Sequence, residues 1–181
     1  MSDSYLTIAT AGESLYTEKR SKFLGFAFGV STEDEVKDIV LSFKKKYFDA
    51  RHVCYAYKIG YENVYTRSND DGEPSGSAGK PILGQIQSLH LTNVLVIVVR
   101  YFGGVKLGTG GLAVAYKTAA SAALSSASIV EQILTEEFKI SAPYPDADVA
   151  MRFVREGGGK ILGIDYLPTK MALNVSIRKD A

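Results

Sequence analysis

Hydrophobic and polar positions over residues 5–68 predict strands arranged around one helix. Three segments, 5–10, 22–30 and 51–59, are rich in β-branched and aromatic side chains, and each is predicted to form a strand. Between the last two segments, apolar side chains recur at the spacing of one helix face: Val36, Ile39, Val40, Phe43 and Tyr47. Residues 62–68 are predicted to pair back on the preceding strand.

The predicted helix carries charges that suit its two ends. Thr32 and Glu35 fit a capping box at its start, where acidic side chains complement the positive end of the helix dipole. Residues 44–46, all lysine, lie at the opposite, negative end. Helix stability therefore explains the densest basic run of the chain, which we do not interpret as a nucleic-acid site.

The middle of the chain combines two glycine-rich segments with one strongly apolar strand. Residues 68–81 form a polar loop that leads into a helix near Pro81, a residue suited to a first helical turn. Residues 94–99, VLVIVV, predict a central strand that is buried on both faces. The glycine-rich residues 103–111 then enter an alanine-rich helix, whose small side chains allow close packing against a sheet.

Beyond residue 128 the pattern indicates a second, smaller unit. Residues 134–142 alternate between apolar and polar side chains, as a strand with one buried face does. A short helix is predicted around 146–155, followed by strands at 160–166 and 171–177. We therefore predict a β-α-β-β unit that follows a domain boundary near residues 128–133.

Composition narrows the class of protein. The 181 residues are 46% hydrophobic and carry a net charge of +1, so they predict a packed core without the basic excess of a duplex-binding domain. No apolar run has the length of a membrane span, and residues 1–10 do not resemble a secretory signal, so we expect a cytoplasmic protein. A single cysteine, Cys54, and two histidines argue against a structural zinc site.

The glycine-rich segment matches no standard phosphate-binding motif. Gly103 and Gly108 have the spacing of a P-loop, but Thr109 and Gly110 stand where a lysine and a hydroxyl residue belong. Residues 108–113 match G-x-G-x-x-A but lie well past the end of the strand, unlike a dinucleotide-binding turn. The free N–H groups at the start of the following helix still suit an anion.

The residues just before these glycines suit unpaired nucleic acid. Arg100, Tyr101, Phe102 and Lys106 combine cations with aromatic rings, as surfaces that bind single strands do. The segment fits the RRM strand pattern at only some positions, which argues against an RRM. The alternative is that Tyr101 and Phe102 merely cover the end of the core.

The acidic loop offers a second candidate chemistry. Asp70, Asp71 and Glu73 surround Gly72 and suggest a weak magnesium site, whereas Arg67 at the first ligand position excludes an EF-hand. The alternative is a solvated loop that caps the next helix. His52 and Cys54 share one strand face, where they form either a thiol–imidazole pair or two structural residues.

Three segments together resemble the YigZ/IMPACT family: ARHVCYAY at 50–57, SNDDGEPSGSAGKPIL at 68–83 and VVRYFGGVKLGTGGLAVAY at 98–116. The resemblance implies an α+β protein whose residues 1–130 form a two-layer α/β domain, like domain IV of elongation factor G and a ribosomal-protein domain. It also implies a ferredoxin-like unit over residues 131–181, of which this chain carries only the first β-α-β-β part. Either the last helix and strand are absent, or a partner supplies them.

The family's eukaryotic members act in translational control, so the resemblance implies a binding protein that contacts RNA, the ribosome or a translation-associated protein. We expect no catalytic residue, no membrane association and no bound metal other than weak magnesium. The alternative is a small nucleotide- or phosphate-binding enzyme that uses the 70–80 and 103–111 loops. The candidate binding residues are Arg51, His52, Asp70, Asp71, Glu73, Lys80, Arg100, Tyr101, Phe102, Gly103, Gly104, Lys106, Gly108, Gly110 and Gly111.

In the RNA interpretation, Arg51, Arg100 and Lys106 contact phosphates, while Tyr101 and Phe102 stack on bases. In the enzyme interpretation, the three carboxylates of the acidic loop hold magnesium and the amides of residues 108–111 hold phosphate. Whether the two loops converge on one cleft is the structural observation that bears most on these interpretations.

Overall fold

The computed structural model describes residues 3–179. Residues 1–2 of the predicted first domain and residues 180–181 of the predicted second unit lie outside it. The chain divides into two compact units. The larger is Leu6–Glu131, and the smaller combines residues 3–5 with residues 132–179. The strands are β1 (Ser4–Thr10), β2 (Gly12–Glu18), β3 (Ser21–Gly29), β4 (His52–Ile59), β5 (Tyr65–Asn69), β6 (Val94–Tyr101), β7 (Ser128–Ile133), β8 (Thr135–Pro143), β9 (Lys160–Tyr166) and β10 (Lys170–Arg178). The helices are α1 (Glu33–Lys46), α2 (Gly79–Ser88), α3 (Gly108–Ser126) and α4 (Ala147–Glu156), with one 3₁₀ turn at Tyr144–Asp146.

A five-stranded antiparallel sheet forms the centre of the larger unit, in the order β2-β3-β6-β4-β5. Strand β6 is central and is buried along nearly its whole length, as its unbroken apolar sequence predicts. The side chains of Val94, Val96 and Val98 enter one core, and those of Leu95, Ile97 and Val99 enter the core on the opposite face.

Helices cover both faces of this sheet, so the two-layer prediction for residues 1–130 is wrong. Helices α2 and α3 pack on one face, and α1 packs on the other through Val36 and Val40. The physical reason lies in β6, since a strand whose two faces are both apolar requires a covering layer on each side. The predicted burial of both faces of β6 is itself correct.

Helix α1 begins with the predicted capping interactions. The Thr32 hydroxyl accepts a hydrogen bond from the Glu35 backbone N–H at 3.2 Å. The Glu35 carboxylate reaches back to the N–H of Ser31 at 2.8 Å. Its three consecutive lysines lie in the last turn, as the pattern predicts.

Helix α3 lies unusually close to the sheet. The Ser14 hydroxyl on β2 donates a hydrogen bond to the backbone oxygen of Ala119 at 2.7 Å. On β3, a Cβ placed on Gly25 would approach the same oxygen to 2.6 Å, so only glycine fits there. Small residues on both partners therefore set this packing distance.

Strand β2 was not predicted, because its residues are mostly polar and, after Gly12, alternate between exposed and half-buried.

The smaller unit contains an antiparallel sheet in the order β8-β10-β9, with α4 between β8 and β9 in sequence. Val154 of α4 packs with Met171, Leu173 and Val175 of β10 to form its core. Strands β1 and β7 pair as a separate two-stranded sheet. Among the helices described here, none combines the length and apolar character that crossing a membrane requires.

Candidate functional site

Three side chains form a row across the main sheet at the end of β6. Arg100 lies opposite Phe23 of β3 and opposite His52 of β4 in the strand register. The Arg100 guanidinium carbon is 5.6 Å from the centroid of the Phe23 ring. The row is on the face that α2 and α3 cover, because alternate residues of β6 share that face.

Glu73 reaches this row from the acidic loop and accepts bonds from several donors. Its Oε1 lies 2.5 Å from Nη1 of Arg100 and accepts a hydrogen bond from the Tyr116 hydroxyl at 2.7 Å. Nε2 of His52 is 3.5 Å from the same oxygen. The side chains of Glu73 and Arg100 are only 2% and 6% exposed. Arg100 is therefore a buried ion-pair partner, and its predicted role as an exposed phosphate contact is wrong.

His52 and Cys54 share the predicted strand face but contact different atoms of the loop. Nδ1 of His52 lies 2.7 Å from the backbone oxygen of Asp71. The Cys54 thiol donates to the backbone oxygen of Asp70 at 3.0 Å. Burial raises the pKa of the Cys54 thiol well above its usual value, an effect that the hydrogen bond with Tyr116 only partly offsets. Cys54 is thus a neutral core residue that anchors the loop, not an activated thiol.

The remaining two carboxylates of the loop hold its backbone in place. Asp70 accepts hydrogen bonds from the N–H groups of Gly76, Ala78 and Gly79 at 2.8–3.1 Å, which caps the start of α2. Partial burial by itself would raise the pKa of Asp70, but these three N–H donors and the nearby Lys80 charge hold it below its usual value.

Asp71 has different partners from Asp70, since it accepts a hydrogen bond from the Val53 N–H at 2.7 Å. It also lies 3.4 Å from the amino group of Lys44. The three carboxylates of the loop therefore bind three different sets of partners. Across residues 3–179, no cluster of three or more His, Cys, Asp or Glu side chains could hold a metal ion.

The acidic loop and the glycine-rich segment meet at a cleft of about 360 Å³. Seven of the candidate residues line it: Arg51, His52, Glu73, Arg100, Phe102, Lys106 and Gly108. Four further residues complete the lining: Pro74, Leu107, Thr109 and Leu112. Residues from all three segments that resemble the family are therefore brought to one site.

The other candidate residues do not line the cleft. The Tyr101 ring lies on the α1 face of the sheet, where its hydroxyl donates to Asp49 at 2.9 Å, so a shared stacking surface with Phe102 is excluded. Gly103 is a packing residue, because a Cβ there would lie 2.1 Å from the backbone carbon of Arg20. Six further candidate residues also lie outside the cleft lining: Asp70, Asp71, Lys80, Gly104, Gly110 and Gly111. Of these, Gly110 and Gly111 line a neighbouring depression.

The rim of the cleft carries an aromatic ring with a cation over it. Phe102 is 41% exposed, and the guanidinium carbon of Arg51 lies 5.2 Å from its ring centroid. This distance is within the range of a cation–π contact, which limits the motion of the long Arg51 side chain. Lys106 is exposed at the same cleft.

Tyr116 is the functionally placed residue that the sequence interpretation missed. Its hydroxyl bonds Glu73 and lies 3.4 Å from the Cys54 sulfur, and its ring packs edge-on against Phe23 at 5.2 Å. The sequence does distinguish this residue, since Tyr116 is the one aromatic residue in the alanine-rich sequence of α3. It lies four residues after Leu112, on the same helix face as the cleft lining.

Comparison with known proteins finds a family model and several curated proteins that are similar to this chain. The family model described as the Impact N-terminal domain matches residues 19–124, which contain every residue of the cleft. The chain is 40% identical over 144 residues to IMPACT family member YvyE of Bacillus subtilis, covering 80% of this chain and 66% of that protein. It is 32% identical over 150 residues to IMPACT family member YigZ of Escherichia coli, covering 82% of this chain and 74% of that protein.

Among solved structures, a crystal structure of a hypothetical protein superposes with a TM-score of 0.73 at 29% identity. The superposition covers 99% of this chain and 88% of that one. The overall architecture described above is therefore shared with an experimentally determined relative.

Proposed function

Because the chain belongs to the IMPACT family, as its motifs predicted, we propose that it is a cytoplasmic binding protein of translation regulation whose cleft contacts single-stranded RNA. The assignment to translation regulation is supported by the family's eukaryotic members, which act in translational control. The single observation that carries the RNA contact is the pairing of Arg51 with the exposed Phe102 ring, beside Lys106 and the start of α3.

Each of these groups has a role that follows from its position. Arg51 and Lys106 are exposed cations, so they neutralise backbone phosphates of the RNA. The guanidinium plane of Arg51 and the exposed part of Phe102 provide a surface on which an unpaired base stacks. Arg100 acts indirectly, because its ion pair with Glu73 holds the acidic loop against β6.

The same proposal includes a fold assignment for each of the two units. We propose that Leu6–Glu131 is related to domain IV of elongation factor G, and that the smaller unit is ferredoxin-like. The second assignment is supported by the β8-α4-β9-β10 connectivity, which corresponds to the first four elements of the β-α-β-β-α-β motif. Both relationships favour an RNA-rich environment such as the ribosome as the place where this cleft works.

The RNA contact is tested by fluorescence anisotropy with a labelled single-stranded oligouridine of about ten nucleotides, a length within the site sizes of single-strand-binding domains. The variants are Arg51→Ala, Lys106→Ala and the double variant. The matched control is Lys37→Ala/Arg152→Ala, which removes the same charge from exposed positions outside the cleft. We expect the double cleft variant to lower the slope of log K against log salt by about 1.4, since each lost phosphate contact removes about 0.7.

The control variant is expected to change affinity only slightly. Equal affinity and equal salt slope in the wild type and the double cleft variant would refute the RNA contact at this site. Capture of a partner from lysate that survives RNase treatment and depends on Arg51 would assign the cleft to a translation-associated protein instead.

A further inference from the structure

His52 lies in the wall of the cleft with one ring nitrogen fixed as a hydrogen-bond donor. Its Nδ1 is 2.7 Å from the backbone oxygen of Asp71, and a carbonyl oxygen can only accept a hydrogen bond. This partner assigns a proton to Nδ1 whether the ring is neutral or charged. The His52 side chain is 14% exposed, and the residue lines the cleft.

The second ring nitrogen, Nε2, changes its role with protonation. It lies 3.5 Å from Oε1 of Glu73. In the neutral ring Nε2 bears a lone pair, so two acceptors face each other and no hydrogen bond forms. In the charged ring Nε2 is a donor, directed at a carboxylate that also accepts from Arg100 and Tyr116. Protonation therefore adds a donor beside Glu73 and a positive charge to the wall of the cleft.

The titratable and charged groups around His52 come from its own strand, the acidic loop, β6 and α3. They are Arg51, Cys54, Asp71, Glu73, Arg100 and Tyr116. Burial raises the pKa values of the Cys54 thiol and the Tyr116 hydroxyl, so both groups are neutral near pH 7. Arginine keeps its charge at every pH at which the protein is folded.

The two acids in this set have cationic partners of their own. The Asp71 carboxylate lies 3.4 Å from the amino group of Lys44, and Glu73 is paired with Arg100. Histidine is the residue type whose charge ordinarily changes between about pH 5 and pH 8. His52 is therefore the group in this network that can alter the charge of the cleft in that range.

This change acts on a cleft that already favours an anion. Among the described residues that line it, Arg51, Arg100 and Lys106 are cations and Glu73 is the one acid, which leaves a net charge of +2. A charged His52 adds one further positive charge to the same lining. The affinity of a protein for RNA grows with the number of backbone phosphates that its cations neutralise.

We propose that protonation of His52 strengthens the binding of single-stranded RNA in the cleft, so that RNA affinity rises as the pH falls. This inference rests on the proposed function, because it describes how binding at the same site is regulated. Since His52 is mostly buried, water and salt screen its charge less than they screen an exposed cation. By linkage, RNA binding also favours the protonated ring, so the protein takes up protons when RNA binds.

The first test measures RNA affinity by fluorescence anisotropy at about pH 5.5 and about pH 7.5, on either side of the usual histidine pKa. The probe is a 3′-labelled oligouridine that ends in a 5′-hydroxyl, because a terminal phosphate would itself change charge near about pH 6. We expect the wild type to bind about three- to tenfold more tightly at the lower pH, as one added charge-assisted contact provides.

Two matched variants assign the effect to one histidine. His52→Asn does not titrate but keeps an amide that can donate to the Asp71 oxygen, so it should bind RNA equally at both pH values. His90→Asn removes the only other histidine, which is exposed and outside the cleft lining. Its φ of 55° is one that asparagine tolerates, so this control should fold and keep the full pH dependence.

A second measurement needs only the wild type and the control. Titration calorimetry at about pH 6.5, in two buffers of different ionisation enthalpy, counts the protons taken up when RNA binds. We expect uptake of a fraction of one proton per RNA bound in the wild type and the same uptake in His90→Asn.

Equal affinity of the wild type at both pH values, with binding still dependent on Arg51 and Lys106, would overturn this inference and leave the proposed function standing. A pH dependence that persists in His52→Asn, or RNA binding without proton uptake, would overturn it as well. Failure to bind RNA at both pH values would overturn this inference together with the proposed function.

Discussion

Glu73 and Arg100, 27 residues apart in the sequence, form a buried ion pair with a distance of 2.5 Å between Oε1 and Nη1. The pair joins the acidic loop to the central strand β6 at the wall of the cleft. Tyr116 of α3 bonds the same carboxylate oxygen, so one atom connects a loop, a strand and a helix. The geometry of the cleft depends on this connection.

The first prediction concerns the coupling between these two charges. Glu73→Gln and Arg100→Met each leave one buried charge without its partner, and each should lower the free energy of unfolding by about 3–5 kcal/mol. The double variant leaves neither charge, so it should be destabilised by clearly less than the sum of the two. Urea denaturation of the four proteins measures the coupling. Strict additivity would show that the two side chains do not interact in solution.

The second prediction concerns the Tyr116 hydroxyl. Tyr116→Phe removes the bond to Glu73 and the contact with Cys54, leaving a buried carboxylate with one donor fewer. The free energy of unfolding should fall by about 1–3 kcal/mol. Tyr166→Phe is the matched control, since that side chain is 72% exposed and its change should be near zero. An equally small effect of both substitutions would contradict the role given to Tyr116.

The third prediction concerns Asp70 and its pH dependence. The pKa of Asp70 is lower in the folded protein than its usual value, so folding favours the ionised form. The resulting stability is present above about pH 4, the unfolded value, and is lost as the pH falls through the lower folded value. Asp70→Asn should therefore be less stable than wild type by about 1–3 kcal/mol at pH 7.

This deficit should shrink as acid protonates Asp70 in the wild type. Thermal denaturation between about pH 2 and pH 7 measures it, with Asp38→Asn on the exposed face of α1 as the control. A deficit that stays constant across this range would mean that the charge of Asp70 does not contribute.

The fourth prediction separates the structural glycines from a tolerant one. A Cβ at Gly103 would lie 2.1 Å from the backbone carbon of Arg20, so Gly103→Ala should force the two segments apart and destabilise the fold by about 1–3 kcal/mol. A Cβ at Gly84, inside α2, meets nothing within 4 Å. Gly84→Ala should stabilise by about 0.5–1 kcal/mol, because alanine favours helix. The opposite order of the two melting temperatures would refute this assignment.

The elements could be largely predicted from the chain, because local patterns determine them, whereas the meeting of the two loops at one cleft depends on the strand order of the sheet and does not follow from local patterns. The capping of α1 by Thr32 and the burial of β6 follow from spacing and composition alone. The sheet faces on which the Arg100 and Tyr101 side chains lie could not be predicted in this way, since they depend on the pairing register of the strands. Adjacent residues of a strand point to opposite faces, so only the pairing of β6 with β3 and β4 shows which one enters the cleft.

The burial of Arg100 depends on a second non-local fact. Arginine at a strand end is usually exposed, and its burial here requires Glu73, whose position is determined by the Asp70 contacts that fold the loop. No spacing rule relates a loop carboxylate to a strand 27 residues away. The same reasoning explains why three nearby carboxylates, which suggested one magnesium site, are used for three separate purposes.

The most direct test of the central claim is to locate bound RNA on the protein by amide chemical shifts. The ¹⁵N-labelled chain is titrated with single-stranded oligouridine, and shift changes are mapped residue by residue. We predict the largest changes at Arg51, Phe102, Lys106, Gly108 and Thr109, with little change on α1 or in residues 135–179. Changes confined to those other regions, or none at RNA concentrations that saturate binding, would contradict the assignment of the cleft as the RNA site.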